Sequence, residues 1–195
     1  MKRRWTLWHC LERVAALLLI LVLLPLLAGV ALLVWLRSGR APLVRHRRCG
    51  QFGAEFKMLK FRTMWGESGA LDPEPGIGKP PDDPRVVGGL ARFLRRYSVD
   101  ELPQLVHVVT GRMSLVGPRP LTRREFEIYY GDDAPEVLSM RPGLTGLWQV
   151  RGRSRLSYRQ RRRLDLFLVR RDSPGLRLWI LTRTVGQIIT GKDAW

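Results

Sequence analysis

From Val14 to Leu36 the chain runs through 23 residues without a charge, VAALLLILVLLPLLAGVALLVWL. At about 1.5 Å per helical residue this is long enough to cross a hydrocarbon core of about 30 Å. The run continues to Trp35 and Leu36 without a small-x-small cleavage site, which separates it from a secretory signal. Lys2, Arg3, Arg4 and Arg13 precede it, and Arg37, Arg40, Arg45, Arg47 and Arg48 follow it. Positive flanks favour the cytoplasm, so this pattern asks for both ends on one side. Pro25 removes a backbone donor near the middle and leaves two arrangements open. One is a re-entrant hairpin broken at Pro25, which fits the charges better; the other is a single crossing helix kinked there.

Beyond the apolar run the period changes repeatedly. Residues 37–53 are basic and turn-rich, whereas EFKMLKFRTM (Glu55 to Met64) alternates like a short strand or an amphipathic surface segment. Trp65 to Pro84 carries five prolines and four glycines and reads as a mobile loop. Leu90, Phe93, Leu94 and Tyr97 recur at helical spacing, with Arg92, Arg95 and Arg96 on other faces, as suits a helix on anionic headgroups. A second helix is expected to start around Ser98 to Glu101 and to run to about Thr110. After it come a stiff Gly117-Pro118-Arg119-Pro120 turn and a helix near Thr122 to Tyr130. Further on lie the glycine-punctuated RPGLTGLWQVRGR (Arg141 to Arg153) and helices over Ser157 to Arg171 and Pro174 to Thr190. Leu176, Trp179, Ile180, Val185, Ile188 and Ile189 give the last helix a wide apolar stripe of the kind that usually packs into a core. The pattern predicts a mainly α protein with minor β, resting on a membrane, divided into a membrane unit (1–48) and a second unit (49–195).

Composition adds the partner's sign. With 34 Lys plus Arg against 17 Asp plus Glu, the net charge of +17 calls for an anionic partner, anionic membrane lipids among them. A length of 195 residues allows one catalytic or binding domain, and 45% hydrophobic residues argue against wholesale disorder. Cys10 and Cys49 share no ligand spacing with each other or with His9, His46 and His107, so the sequence points to neither a disulfide scaffold nor a structural zinc site.

Asp100 and Glu101 sit side by side in RRYSVDELPQL. Ser98-x-x-Glu101 reads as a capping box, which is a purely structural role. The chemical alternative is that a positive helix end and nearby guanidinium groups keep a carboxylate ionised, as a nucleophile attacking phosphorus must be. Such an attack needs cations over the phosphoryl oxygens, and Lys60, Arg62, Arg119 and Arg141 are candidates. Arg119 stands out because a proline on each side lowers the entropy cost of fixing it. Asp165 lies beside Arg161 and Arg162, where an intrahelical ion pair is the ordinary reading; with Glu101 it would alternatively ligate Mg²⁺. The Arg161-Arg162-Arg163 run reads as a solvated or lipid-facing surface.

KFRTM (Lys60 to Met64), DPRV (Asp83 to Val86), SVDELPQL (Ser98 to Leu105), MSLVGPRPL (Met113 to Leu121), RPGLTGLWQVRGR, LSYRQRRRLD (Leu156 to Asp165) and the closing GKDAW follow one another in the order and spacing of a known family. In these motifs the chain resembles the bacterial sugar transferases of the monotopic phosphoglycosyl transferase superfamily, in a minimal, catalytic-core form. The resemblance implies a re-entrant helix broken at Pro25 and a catalytic domain on the cytoplasmic face of the bacterial inner membrane. It implies that Asp100 attacks the β-phosphate of a UDP-sugar, releases UMP and passes a phosphosugar to polyprenyl phosphate, with Mg²⁺ as cofactor and downstream glycosyltransferases as possible partners. Glu101 would bind Mg²⁺ or assist the second attack. Lys60, Arg95 and Arg119 match the family's phosphate-handling cations and Asp165 its downstream acid; with Arg62, Arg141 and Gln149 these cations make up the candidate substrate- and phosphate-binding set. GLWQV resembles the undecaprenyl-phosphate galactose type more than the GWAQV group. The chain departs from the pattern at Leu24, His46 and Leu168 and around Asp172 to Arg177.

A membrane-tethered nucleic-acid binder would also be basic, but no nucleic-acid motif is present and the charge lacks interleaved stacking aromatics. A catalytically dead polyprenyl-phosphate binder would keep the anion sites without needing both Asp100 and Glu101.

Overall fold

The computed structural model describes residues 2–64, 86 and 88–190. The proline-rich loop expected at Trp65 to Pro84, most of DPRV and the closing GKDAW lie outside them. Helix α1 spans Lys2–Ser38 as one run of 37 residues with Pro25 inside it. The hairpin expected at Pro25 is thus not seen as two helices joined by a turn: one missing donor has not ended a run whose remaining backbone groups are paired. Most of α1 is apolar side chain facing outward, with Val22 75% exposed and Leu11 65%.

One stripe of α1 is covered. Ala16, Ile20 and Leu23 pack with Phe56, Met58, Leu102, Leu105, Val108 and Met113. Leu27, Val30, Ala31 and Val34 pack with Phe61, Leu90, Leu94 and Val99. The spacing of 4, 3, 4, 3 and 4 residues through Ala16, Ile20, Leu23, Leu27, Val30 and Val34 is the seam of a helix packed along its length.

After α1 a hairpin pairs β1 (Leu43–Cys49) with β2 (Glu55–Phe61) antiparallel, Val44 opposite Lys60. β1 replaces the turns expected there and crosses the boundary drawn at 48. Its inward positions are Val44, His46 and Arg48, so the alternation exists in burial but not in hydrophobicity. Helix α2 (Gly88–Arg96) follows, and then the expected second helix divides into a 3₁₀ segment, Val99–Gln104, and a short α3, Leu105–Val109. A two-stranded parallel pair, β3 (Ser114–Val116) with β4 (Gly143–Thr145), sits behind α3. Between the strands run α4 (Arg123–Tyr129), closed by the Thr122/Glu125 capping box, and α5 (Ala134–Leu138). Helices α6 (Leu147–Arg151), α7 (Tyr158–Arg170, capped by Ser157 and Gln160) and α8 (Pro174–Thr190) complete the order.

The protein is mainly α with minor β, as the pattern predicted. The stripe on α8 is only half core: Ile180 is fully buried beside Val116, Leu147 and Leu168, but Val185 and Ile189 are 56% and 73% exposed. Its outer half touches the rest of the molecule through Thr184 and Gln187 instead.

Candidate active site

Ser98 decides how the acidic pair is used. Its φ of 54° puts it in the left-handed region, where it closes α2 behind it, its N–H donating to the Arg95 carbonyl at 3.1 Å. The expected capping box does not form: the Ser98 side chain makes no cap, and its hydroxyl accepts from Arg153 Nη2 at 3.1 Å. Glu101 is therefore free of capping duty, and its Oε1 accepts from Lys60 Nζ at 2.6 Å. Lys60 comes from β2, held to α3 by His107, whose Nε2 accepts the Leu59 N–H at 3.1 Å. That acceptor role requires an unprotonated ring nitrogen, and burial together with Arg112 holds the His107 pKa below its ordinary value.

Asp100 and Glu101 share this turn but not their electrostatics. Burial lifts Asp100 to about 6, Glu101 adding to the rise while Lys60 and Arg95 oppose it. Burial also pushes Glu101 up, but Lys60, Arg119 and Arg153 outweigh it and hold its carboxyl below the usual range. Desolvation thus exceeds the pull of Lys60 and Arg95 without abolishing it. At neutral pH the group is still mostly ionised, and a carboxylate with a raised pKa is the more nucleophilic one.

Arg119 is the cation around which the second half of the site is arranged. Its guanidinium lies over the Trp148 ring at 4.5 Å, with Arg161 against the same ring at 5.3 Å. Glycine permits this: a Cβ on Gly117 would run into the Arg141 carbonyl and lie 2.7 Å from the Gly143 nitrogen. The close approach is fixed by Gly117 N–H to Thr145 O and Gly143 N–H to Pro118 O, both 2.9 Å. Beneath the guanidinium groups Asp165 is completely buried, and its Oδ2 accepts from the Tyr130 hydroxyl at 2.7 Å. Burial lifts Asp165 to about 7 against the Tyr130 hydroxyl, the Arg119 N–H and the charges of Arg119 and Arg161. Tyr130 in turn is pushed up by burial and by Asp165.

The remaining expected residues divide. Arg95 acts on Asp100 through its charge. Gln149 donates to the Leu144 carbonyl at 3.3 Å, holding the end of β4 to α6. Arg62 donates from Nε to Ala41 O at 2.9 Å and so fastens the start of β1. Arg141 turns away into a second polar pocket of about 250 Å³ with His9, Gln51, Asp172 and Arg177. Arg161, expected on the surface, is half-buried, and Asp165 is bonded to Tyr130 instead of forming the simple helical ion pair.

Arg153, Arg161, Tyr130 and Trp148 were missed by sequence reasoning as site residues. Arg153 had a signal: it closes the glycine-rich motif and has φ 46°, reached through Gly152. Among the described residues no three His, Cys, Asp or Glu side chains gather as a metal cluster.

Residues 3–191 match the family model of the bacterial sugar transferases. The chain is 40% identical to the UDP-galactose-lipid carrier transferase of Erwinia amylovora, over 94% of this chain and 40% of that protein. It is 39% identical to an exopolysaccharide production protein of Sinorhizobium fredii, over 92% of this chain and 84% of that one. It is also 39% identical to the UDP-glucose:undecaprenyl-phosphate glucose-1-phosphate transferase of Caulobacter vibrioides, over 95% of this chain and 70% of that one. The chain thus spans well under half of the first relative and most of the other two.

Proposed function

The chain belongs to the bacterial sugar transferase family, and we propose that it transfers a hexose-1-phosphate from a UDP-sugar to polyprenyl phosphate through an aspartyl intermediate on Asp100. The observation that carries this reading is the Val99–Gln104 turn. It presents a carboxylate with a raised pKa beside Lys60 and Arg95, and its own Val99 and Leu102 pack against the apolar α1. The nucleophile thereby sits where a soluble nucleotide and a membrane-bound phosphate both have access.

In the first displacement an Asp100 carboxylate oxygen attacks the β-phosphorus, forming an acyl–O–P bond. The P–O bond to the α-phosphate breaks, and UMP leaves with the electron pair. In the second, an oxygen of polyprenyl phosphate attacks the same phosphorus, restoring the carboxylate and giving the polyprenyl diphosphosugar. Lys60, Arg119 and Arg153 supply fixed positive charge for the phosphoryl oxygens, and Arg119 is kept in place by Trp148 and its two flanking prolines.

Magnesium fits Glu101 and does not fit Asp165. Glu101 is ionised, part-exposed and bonded to Lys60 through Oε1, whereas Asp165 is sealed from solvent with a pKa near neutrality. When bound, the ion would neutralise charge on the diphosphate.

For topology, we read α1 as a membrane-anchored helix whose two ends stay on the domain's side. Support comes from its contacts, which continue from Glu12 to Val34, about 33 Å of helix at 1.5 Å per residue. A straight crossing would draw the packed domain into the bilayer. Single cysteines near Lys2 and Ser38 should both resist an impermeant thiol reagent in intact cells; labelling of one alone would establish a crossing.

Enzyme given UDP-sugar labelled in the sugar, without lipid, should release UMP and retain label on the peptide containing Asp100. A rate law requiring both substrates together, with no trapped label, would sink the covalent route.

A further inference from the structure

Glu12 lies on α1 two residues before the uncharged run, yet is only 5% exposed. Both of its carboxylate oxygens accept from the Ser114 hydroxyl, at 2.8 and 2.7 Å, and Oε1 also accepts from Arg177 Nη1 at 3.2 Å. Arg177, 2% exposed, donates in fork fashion to both oxygens of Asp172, each at 2.8 Å. Its Nη1 also reaches Ser114 Oγ at 3.2 Å, and its guanidinium lies 5.7 Å from the centre of the Trp8 ring. One buried guanidinium therefore ties the membrane helix, the first residue of β3 and the start of α8 into a single network. Buried charges of this kind are costly to desolvate and weak evidence for stability by themselves. What they fix is geometry.

The path from this network to the site is short and pinned. Ser114 N–H donates to Pro142 O at 2.9 Å, Val116 pairs with Thr145, and the strand continues through Gly117 and Pro118 into Arg119. On the neighbouring strand Thr145 Oγ1 meets Thr184 Oγ1 of α8 at 2.7 Å. We propose that Glu12 and Arg177 are positioning residues, through which the seating of the membrane helix sets the Arg119 turn that handles phosphate. This rests on the transferase reading for Arg119's role.

The test is a double-mutant cycle on the purified full chain in nanodiscs, measuring UMP release. Glu12→Gln should lower kcat/KM for the UDP-sugar about tenfold in the parent, since displacement of a phosphate-handling cation by a fraction of an ångström is enough. In an Arg119→Lys background the same substitution should cost less than about twofold, because the group it positions is already gone. An equal loss in both backgrounds, or none in the parent, would overturn the proposal. Hydrogen exchange gives a readout independent of turnover: the peptide covering Ser114 to Leu121 should exchange faster in Glu12→Gln, and unchanged exchange there would also count against the network. Should Glu12→Gln fail to fold, Ser114→Ala removes the bridging hydroxyl and must show the same two signatures. A parent chain with no turnover on any UDP-sugar would refute the transferase reading, while the exchange experiment would still judge the network.

Discussion

Two acids of the site behave differently. Asp100 and Asp165 both have pKa values raised by burial, to about 6 and about 7, and both are opposed by basic neighbours. Asp100 stands on a part-exposed turn between β2 and α1, with solvent access on one side. Asp165 is at zero exposure, with a tyrosine hydroxyl on one oxygen. A perturbed pKa is therefore not a signature of chemistry by itself; access separates a nucleophile from a sealed structural acid. Asp165 instead feels the charges of Arg119 and Arg161, whose guanidinium groups lie against Trp148.

The contrast is most severely tested by exchanging each acid for its amide. Asp100→Asn should reduce turnover by about a thousandfold or more with the melting temperature nearly unchanged, because the amide keeps the shape and loses the nucleophilic oxygen. Asp165→Asn should stay within about tenfold of the parent, since the acid it replaces is substantially protonated near neutral pH. Reversal of that order would mean that the wrong acid has been read as reactive.

Metal dependence separates Glu101 from Asp165. Chelation should abolish turnover and added Mg²⁺ restore it. Glu101→Gln should raise the Mg²⁺ needed for half-maximal rate by about tenfold or more, and Asp165→Asn should leave it unchanged. The same demand for Mg²⁺ in Glu101→Gln as in the parent would remove Glu101 from the ligand set.

Acid should act on rate through the exposed member. Attack requires ionised Asp100, so kcat/KM for the UDP-sugar should fall about tenfold per pH unit below about 6. A profile flat down to pH 4.5 would place the titration elsewhere.

The smallest effect is on stability. Asp165's folded pKa, about 7, lies above its ordinary value of 3.8, so its protonated form favours folding. That contribution is full below about pH 4 and is lost as pH rises through about 7. Asp165→Asn should flatten this part of the curve of melting temperature against pH, and a slope unchanged from the parent would contradict the assignment. Tyr130→Phe, which strips the hydroxyl from Asp165 Oδ2, should cost about 1–3 kcal/mol.

Much of the fold was written locally. The capped starts of α4 and α7, the helix at Gly88–Arg96 and the strand β2 all follow from residues within a few positions of one another. The motif residues Lys60, Asp100, Glu101 and Arg119 were likewise visible as chemistry-bearing types on predicted turns and strands. Ser98-x-x-Glu101 shows where local reading stops. The tetrapeptide suits a cap, but Arg153, 55 residues on, takes the serine hydroxyl and Lys60, 41 residues back, takes the glutamate.

The sequence by itself therefore determined the long apolar helix, the helical bias, the excess of positive charge and the identity of the acidic pair, because each depends on composition or on neighbours along the chain. Only the tertiary structure decided which stripe of α1 is covered, since a helix apolar on every side carries no mark of the face it will bury. It also decided that Arg161 and Arg153 turn inward while Arg62 and Arg141 turn away, and that Asp165 is sealed. In a chain with so many arginines, every basic residue looks alike until long-range packing sets the distance from each one to a carboxylate.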